Sequence, residues 1–148
     1  MVMLQMDYLG ICQREGRKPP YTSKGIEEML KHCLTLEYGA VTDITSDFRL
    51  TLENAGHLLG SSCVHLHIGD GLYNVLYTGD YKYERTPMFE MTSTNYTRVE
   101  ALITEATYGG EITPPHKEGE QLLVNKIKEV LDRGGKVLVP SFATGRAQ

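Results

Sequence analysis

Two short runs of β-type residues lie near the middle of the chain, at residues 63–68 and 72–77, and the apolar residues Val64, Leu66 and Ile68 alternate with polar ones in the first. Both runs predict β-strands. Gly69-Asp70-Gly71 lies between them and is a turn signal of the Asp-Gly kind, so the strands should form a hairpin. A hairpin carries the chain out and back. We therefore expect the loop that holds His57 and the loop that holds Asp80 to meet at the same end of the sheet.

Helical spacing appears first near the start of the chain. Ser23 offers an N-cap, and Ile26, Met29, Leu30 and Cys33 recur at i, i+3, i+4 and i+7. The pattern predicts an amphipathic helix with one buried stripe, and a stripe of this composition is typical of core packing rather than of a binding groove.

A second amphipathic helix is predicted at residues 117–133, with Gly134-Gly135 as its C-terminal signal. The apolar residues of this helix are expected to face inward, and they are Leu122, Leu123, Ile127, Val130 and Leu131.

The remaining elements follow from shorter patterns. Residues 1–9 resemble the last turns of a helix, and residues 13–20 and 86–98 are polar and predict loops. Further strands are predicted at residues 37–44, 48–52 and 99–104, and a buried strand of the parallel kind at residues 136–140.

Length and composition favour a globular protein with a core of its own. The chain has 148 residues, and 41% of them are hydrophobic. The formal net charge of −4 argues against nucleic-acid binding by bulk positive charge, although a nuclease that meets phosphates through metal ions stays open. The three cysteines form no C-x-x-C pair, and neither a signal peptide nor a membrane-spanning run is recognised. We therefore expect a cytoplasmic protein that does not enter membranes.

His57 and Asp80 are the first candidates for chemistry. Each lies beside a glycine at the mouth of a predicted strand. Imidazole nitrogen and carboxylate oxygen both bind zinc or a similar divalent ion. A histidine before a strand and a Gly-Asp pair after one are also ordinary surface and turn residues, so spacing alone leaves both interpretations open.

His65 and His67 form a second histidine pair, within the first strand of the hairpin. Residues at i and i+2 of a strand share a face, so this pair could chelate zinc. We favour a structural role, with Val64, Leu66 and Ile68 on the core face and both histidines toward solvent or a neighbouring layer.

The last stretch of the chain suggests a phosphate-binding loop. Ser141, Thr144 and Arg146 follow the predicted strand at residues 136–140 and precede an expected helix start. Backbone amides at such a place can hold a phosphate, with the guanidinium as a fixed cation. The pattern is loose and is not diagnostic by itself.

Four motifs carry a family resemblance, and they span about a hundred residues in order. They are Asn54-Ala-Gly-His-Leu-Leu-Gly-Ser61, Tyr77-Thr-Gly-Asp-Tyr-Lys82, Glu105-Ala-Thr-Tyr-Gly109 and Pro140-Ser-Phe-Ala-Thr-Gly-Arg-Ala-Gln148. With these motifs the chain resembles the β-CASP branch of the metallo-β-lactamase superfamily. It is most similar there to archaeal proteins of the kind related to the cleavage and polyadenylation specificity factor nuclease.

The resemblance implies an α/β fold. Residues 1–110 would be part of a metallo-β-lactamase domain, a β-sandwich flanked by helices, and residues 111–148 would begin a β-CASP cap domain. It also implies roles for three residues. His57 would be a zinc ligand, Asp80 would bridge two zinc ions, and Glu105 would be a catalytic acidic residue that orients a downstream histidine rather than binding metal.

The implied activity is zinc-dependent hydrolysis of RNA, endonucleolytic, in 3′-end processing or transcription termination. Some members of the family also trim RNA from the 5′ end. Two metal ions suit this chemistry because they activate water and stabilise both the attacking and the leaving oxygen. RNA is the implied partner, and a homodimer is expected of the full-length protein.

One family feature is missing from this chain. The His-x-His-x-Asp-His cluster, which supplies most of the zinc ligands in similar proteins, does not occur in it. We therefore expect an internal fragment that is inactive by itself. Two alternatives remain. One is a non-catalytic scaffold subunit of an RNA-processing complex, and the other is a metallo-hydrolase for small substrates. The motifs at Glu105 and at residues 140–148 speak against the second.

Overall fold

The structure is a computed structural model that describes residues 2–142 and 145. The chain divides into two compact units, residues 1–36 and residues 37–148, and each is described by itself. The division predicted at residues 110 and 111 follows from the family resemblance and stays a prediction.

The first unit contains two helices, α1 (Val2–Arg14) and α2 (Ser23–Lys31). Helix α1 therefore continues past residue 9, where the sequence pattern ended it. The N-cap of α2 is Thr22 rather than the predicted Ser23, because the Thr22 hydroxyl accepts a hydrogen bond from the Gly25 amide at 3.1 Å.

Only part of the predicted stripe of α2 is buried. Ile26 is buried, whereas Met29, Leu30 and Cys33 are exposed, so the prediction of a fully buried stripe was wrong. Among the residues of this unit whose burial is described, the other buried apolar one is Cys12, on α1. Two short helices enclose little volume, which leaves room for few core side chains.

The second unit is built on one five-stranded sheet, in which the strands lie side by side in chain order. The first four strands pair antiparallel, and the last pair is parallel. The strands are β1 (Val41–Asp43), β2 (Phe48–Asn54), β3 (Ser62–Ile68), β4 (Tyr73–Tyr77) and β5 (Ala101–Ile103). The α/β class and the β3–β4 hairpin are thus confirmed, while the lactamase assignment stays a prediction.

The buried face of the sheet is the one that carries the histidines. Cys63 and His65 are buried, whereas Val64, Leu66 and Ile68 are only half-buried, so the predicted core face of β3 was wrong. The cause is the long connection between β4 and β5, which folds over the histidine side. Its Tyr96 packs against the buried cluster of Ala55, Cys63 and Leu76, and its Thr92 is buried as well.

Helix α3 (His116–Asp132) ends as the sequence predicts. The Gly135 amide donates to the carbonyl of Val130 and the Gly134 amide to that of Leu131, each at 2.8 Å, and Gly134 has φ of 74°. This is the Schellman arrangement, in which a glycine takes the left-handed conformation after the helix.

The inward face predicted for α3 is largely uncovered. Leu122, Leu123 and Leu131 are exposed, and only Ile127 and Val130 are half-buried. Residues 136–140 form no strand and are exposed, so the prediction of a buried parallel strand was also wrong. Such a strand needs a neighbour for its backbone groups, and within residues 2–142 none lies beside it. No helix in the described part of the chain is long and apolar enough to cross a membrane.

Candidate metal centre

The loop that carries His57 connects β2 to β3 and approaches other backbone very closely at Gly56. A Cβ atom at this position would lie 2.7 Å from the carbonyl oxygen of Glu90 and 2.8 Å from the amide nitrogen of Thr92. Gly56 also has φ of 68°, in the left-handed region. Both observations require glycine here, and its amide donates to Asn54 Oδ1 at 3.0 Å.

Ser61 closes this loop from its other end. Its Oγ accepts hydrogen bonds from the amides of His57 and Leu58 at 3.1 and 3.0 Å, and its carbonyl accepts from the Ala55 amide at 3.1 Å. The backbone on both sides of the imidazole is therefore held. This role of Ser61 was not predicted from the sequence. The sequence feature that could have indicated it is a hydroxyl residue four positions after the histidine, in a loop with glycine on each side.

The loop after β4 is joined to the His57 loop by backbone hydrogen bonds. The Lys82 amide donates to the carbonyl of Ala55 at 2.9 Å, and the Thr92 amide donates to the carbonyl of Lys82 at 2.8 Å. As predicted, the hairpin brings His57 and Asp80 together, with 3.8 Å between His57 Nε2 and Asp80 Oδ2. The His57 side chain is 32% exposed and that of Asp80 is 73% exposed, so both can be reached from solvent.

Glu105 joins the same edge of the sheet. It follows β5, which runs parallel to β4, so the residues after both strands emerge at one edge. Its Oε1 accepts a hydrogen bond from the Tyr81 amide at 3.1 Å, and its Oε2 accepts one from the Thr107 hydroxyl at 2.6 Å. The Thr107 hydrogen bond, with those from the backbone and the nearby His57 charge, lowers the pKa of Glu105 below its ordinary value.

The His57–Asp80 pair fits one zinc ion. Zinc lies about 2.0–2.2 Å from nitrogen and oxygen ligands, so two atoms at tetrahedral positions around it are about 3.3–3.6 Å apart. The observed 3.8 Å is slightly longer, and a small rotation of the exposed Asp80 side chain would bring the two atoms to that separation. Within the described residues no group of three or more His, Cys, Asp and Glu could hold a metal, so the pair would be part of a larger ligand set.

The second histidine pair is occupied by hydrogen bonds. His65 Nε2 lies 2.9 Å from the carbonyl oxygen of Arg98, and the His67 ring bridges Thr51 Oγ1 at 3.0 Å and Asn74 Oδ1 at 2.8 Å. These contacts support the structural role that we favoured, although the residues face the buried side. Burial lowers the pKa of His65.

Most of the predicted phosphate loop lies outside the described residues. Ser141 is described and is exposed after residues 136–140, whereas Thr144 and Arg146 fall among the residues that are not described. Phosphate binding by these three residues stays a prediction.

No protein-family model matches the chain. Archaeal proteins named transcription termination factor FttA are similar to it over its whole length. The identity is 49% over 150 residues for the protein of Methanothermobacter thermautotrophicus and 50% over 150 residues for that of Pyrococcus abyssi. For a Lokiarchaeum protein of the same name it is 47% over 99% of this chain. These relatives confirm the resemblance drawn from the four motifs. The chain spans only 24%, 23% and 23% of their respective lengths.

Proposed function

Because the chain is homologous over its whole length to a segment of the archaeal FttA proteins, we propose that it is the part of a zinc-dependent ribonuclease that supplies His57 and Asp80. The ribonuclease would cut RNA endonucleolytically in transcription termination. The observation that supports this most is the 3.8 Å between His57 Nε2 and Asp80 Oδ2, beside Glu105 at one edge of the sheet.

His57 and Asp80 would hold zinc, the first through Nε2 and the second through its exposed carboxylate. When bound, zinc activates water and stabilises the charge on the reacting phosphate oxygens. Further ligands would have to come from outside the described residues, since these contain no group of three or more His, Cys, Asp and Glu that could hold a metal ion. The isolated 148-residue chain should therefore be inactive.

Glu105 would act as an acceptor rather than as a proton donor. Its lowered pKa keeps the carboxylate ionised at neutral pH, and an ionised carboxylate has no proton to give. This agrees with the implied role of orienting a histidine that would donate the proton to the leaving oxygen.

RNA would be held mainly by local contacts, because the chain carries a net charge of −4. Ser141, Thr144 and Arg146 are the proposed phosphate contacts. The working form of the enzyme would be a homodimer in the cytoplasm. Light scattering of the full-length protein would test whether it is a dimer.

A chimera tests the activity. In it, this chain replaces the matching 150 residues of the Methanothermobacter thermautotrophicus protein, which supplies the rest of the polypeptide. The substrate is a circular single-stranded RNA, since only an endonuclease can open a circle. We expect cleavage that a chelator abolishes and added zinc restores.

Two variants of the chimera separate the site from general effects of charge. Asp80→Asn should reduce cleavage at least about 100-fold, because a metal ligand is lost. Asp70→Asn is the matched control, since Asp70 is a fully exposed carboxylate in the β3–β4 turn and should leave cleavage unchanged. Equal cleavage by both variants would refute the assignment of Asp80, and a circular RNA that stays intact with the native chimera would refute the proposed activity.

A further inference from the structure

Glu105 has a second connection that its family role does not explain. Both of its carboxylate oxygens already accept hydrogen bonds, one from the Tyr81 amide and one from the Thr107 hydroxyl. Tyr81 directly follows Asp80 in the chain. We propose that Glu105 is a positioning residue for Asp80, acting through the Tyr81 amide, and that Thr107 fixes the orientation of the Glu105 carboxylate.

The β4–β5 ladder alone does not reach Asp80. Its last pair is Tyr77 with Ile103, and the Thr78 amide then donates to the carbonyl of Ile103 at 3.0 Å. Three residues after Thr78, the hydrogen bond from the Tyr81 amide to Glu105 again connects the segment after β4 to the segment after β5. It therefore holds the backbone next to Asp80 against the end of β5.

Asp80 depends on its backbone for its position. Its side chain is 73% exposed, so packing does little to fix it, and its contact with His57 is a single approach of 3.8 Å between Oδ2 and Nε2. Two residues after Asp80, the Lys82 amide donates to the carbonyl of Ala55, which lies in the His57 loop. The two residues that follow Asp80 are thus attached, Tyr81 to Glu105 after β5 and Lys82 to the His57 loop.

Thr107 makes the attachment to β5 directional. Its hydroxyl lies 2.6 Å from Glu105 Oε2, the length of a strong hydrogen bond to an ionised acceptor. With Oε2 held in this way, Oε1 faces the Tyr81 amide. The Glu-Ala-Thr order in the sequence thus builds a carboxylate with a fixed direction.

Hydrogen exchange of the Tyr81 amide in the 148-residue chain tests the attachment without any metal. Glu105→Ala removes the acceptor and should speed exchange about tenfold or more, as expected for the loss of a hydrogen bond to a charged group. Glu105→Gln keeps an acceptor oxygen and should retain most of the protection. The amides of β3 serve as an internal reference, because a variant that merely unfolds loses protection there as well.

Thr107 offers a milder pair of variants. Thr107→Ser keeps the hydroxyl and should leave exchange of the Tyr81 amide unchanged, whereas the isosteric Thr107→Val should speed it. Unchanged Tyr81 exchange in both Glu105→Ala and Thr107→Val, with β3 still protected, would overturn the inference.

The consequence for metal binding rests on the proposed function. In the chimera, Glu105→Ala should weaken zinc binding about 10- to 100-fold, the usual effect of losing a group that orients a metal ligand, and Glu105→Gln should weaken it less. Zinc affinity equal to that of the native chimera in Glu105→Ala would overturn the positioning role. A chimera that binds no zinc in any form, with the Tyr81 exchange pattern as expected, would refute the proposed function and leave the attachment of Tyr81 to Glu105 in place.

Discussion

The close approach at Gly56 makes the His57 loop unusually sensitive to a single methyl group. In Gly56→Ala, the new Cβ would lie 2.7 Å from the Glu90 carbonyl oxygen, 2.8 Å from the Thr92 amide nitrogen and 2.9 Å from the Lys82 carbonyl oxygen. All three neighbours are backbone atoms, which cannot rotate away as a side chain can. The loop or the connection between β4 and β5 must therefore shift.

The expected loss of stability in Gly56→Ala has two parts. A left-handed φ costs a residue with a Cβ about 1–2 kcal/mol relative to glycine, and an overpacked buried site costs about 1–3 kcal/mol. Together they predict a loss of about 2–5 kcal/mol in the free energy of unfolding. Since whole domains are stable by only about 5–15 kcal/mol, such a loss is a large share of the total.

Gly60→Ala is a matched control in the same loop. Gly60 has φ of 79°, close to that of Gly56, but a Cβ there would meet nothing within 4 Å. It should therefore lose only the conformational part, about 1–2 kcal/mol. Urea unfolding of the 148-residue chain, followed by circular dichroism, measures both variants. Equal losses in the two variants would refute the reasoning from close approach, because only Gly56 has backbone neighbours at contact.

Two further predictions concern the His57 loop and the buried His65. Ser61→Ala leaves the amides of His57 and Leu58 without their acceptor, so it should lower the free energy of unfolding by about 1–3 kcal/mol and speed exchange of those two amides; unchanged exchange at both amides would contradict this. The lowered pKa of His65 means that the unfolded chain binds more protons than the folded one, so the free energy of unfolding should fall as the pH drops below about 6.5. This dependence of stability on pH should weaken in His65→Gln but not in the exposed control His116→Gln. A slope that is the same in both variants between pH 7 and pH 5 would rule out His65 as its source.

Local signals in the sequence predicted the hairpin and the meeting of the site residues. The Asp-Gly turn and the β-type runs on each side of it involve only neighbouring residues, and they place His57 and Asp80 at one edge. The Gly134-Gly135 signal predicted the end of α3 for the same reason, since a Schellman arrangement is complete within one helical turn.

Burial was predicted poorly because it depends on distant parts of the chain. The face of β3 that carries Cys63 and His65 is buried by residues about thirty positions later, among them Tyr96, in a segment without periodicity. No pattern within β3 could reveal that covering. The apolar residues of α3 and of residues 136–140 show the reverse, because their pattern predicted burial but the described residues provide no layer to cover them.

The small hydroxyl residues of the site were missed for a further reason. Ser61 and Thr107 act on backbone amides and on a neighbouring carboxylate, and serine and threonine are common in loops without any such role. Their contributions depend on hydrogen-bond geometry, which spacing in the sequence does not contain.

Zinc content measured by plasma mass spectrometry after metal-free dialysis tests the central claim most directly. The chimera should retain about two zinc ions per chain, and His57→Ala or Asp80→Ala should lower that number while the exposed control His116→Ala keeps it. The 148-residue chain alone should retain none. Full zinc content in the chimera with both His57 and Asp80 replaced would contradict the account, because the metal would then be held without them.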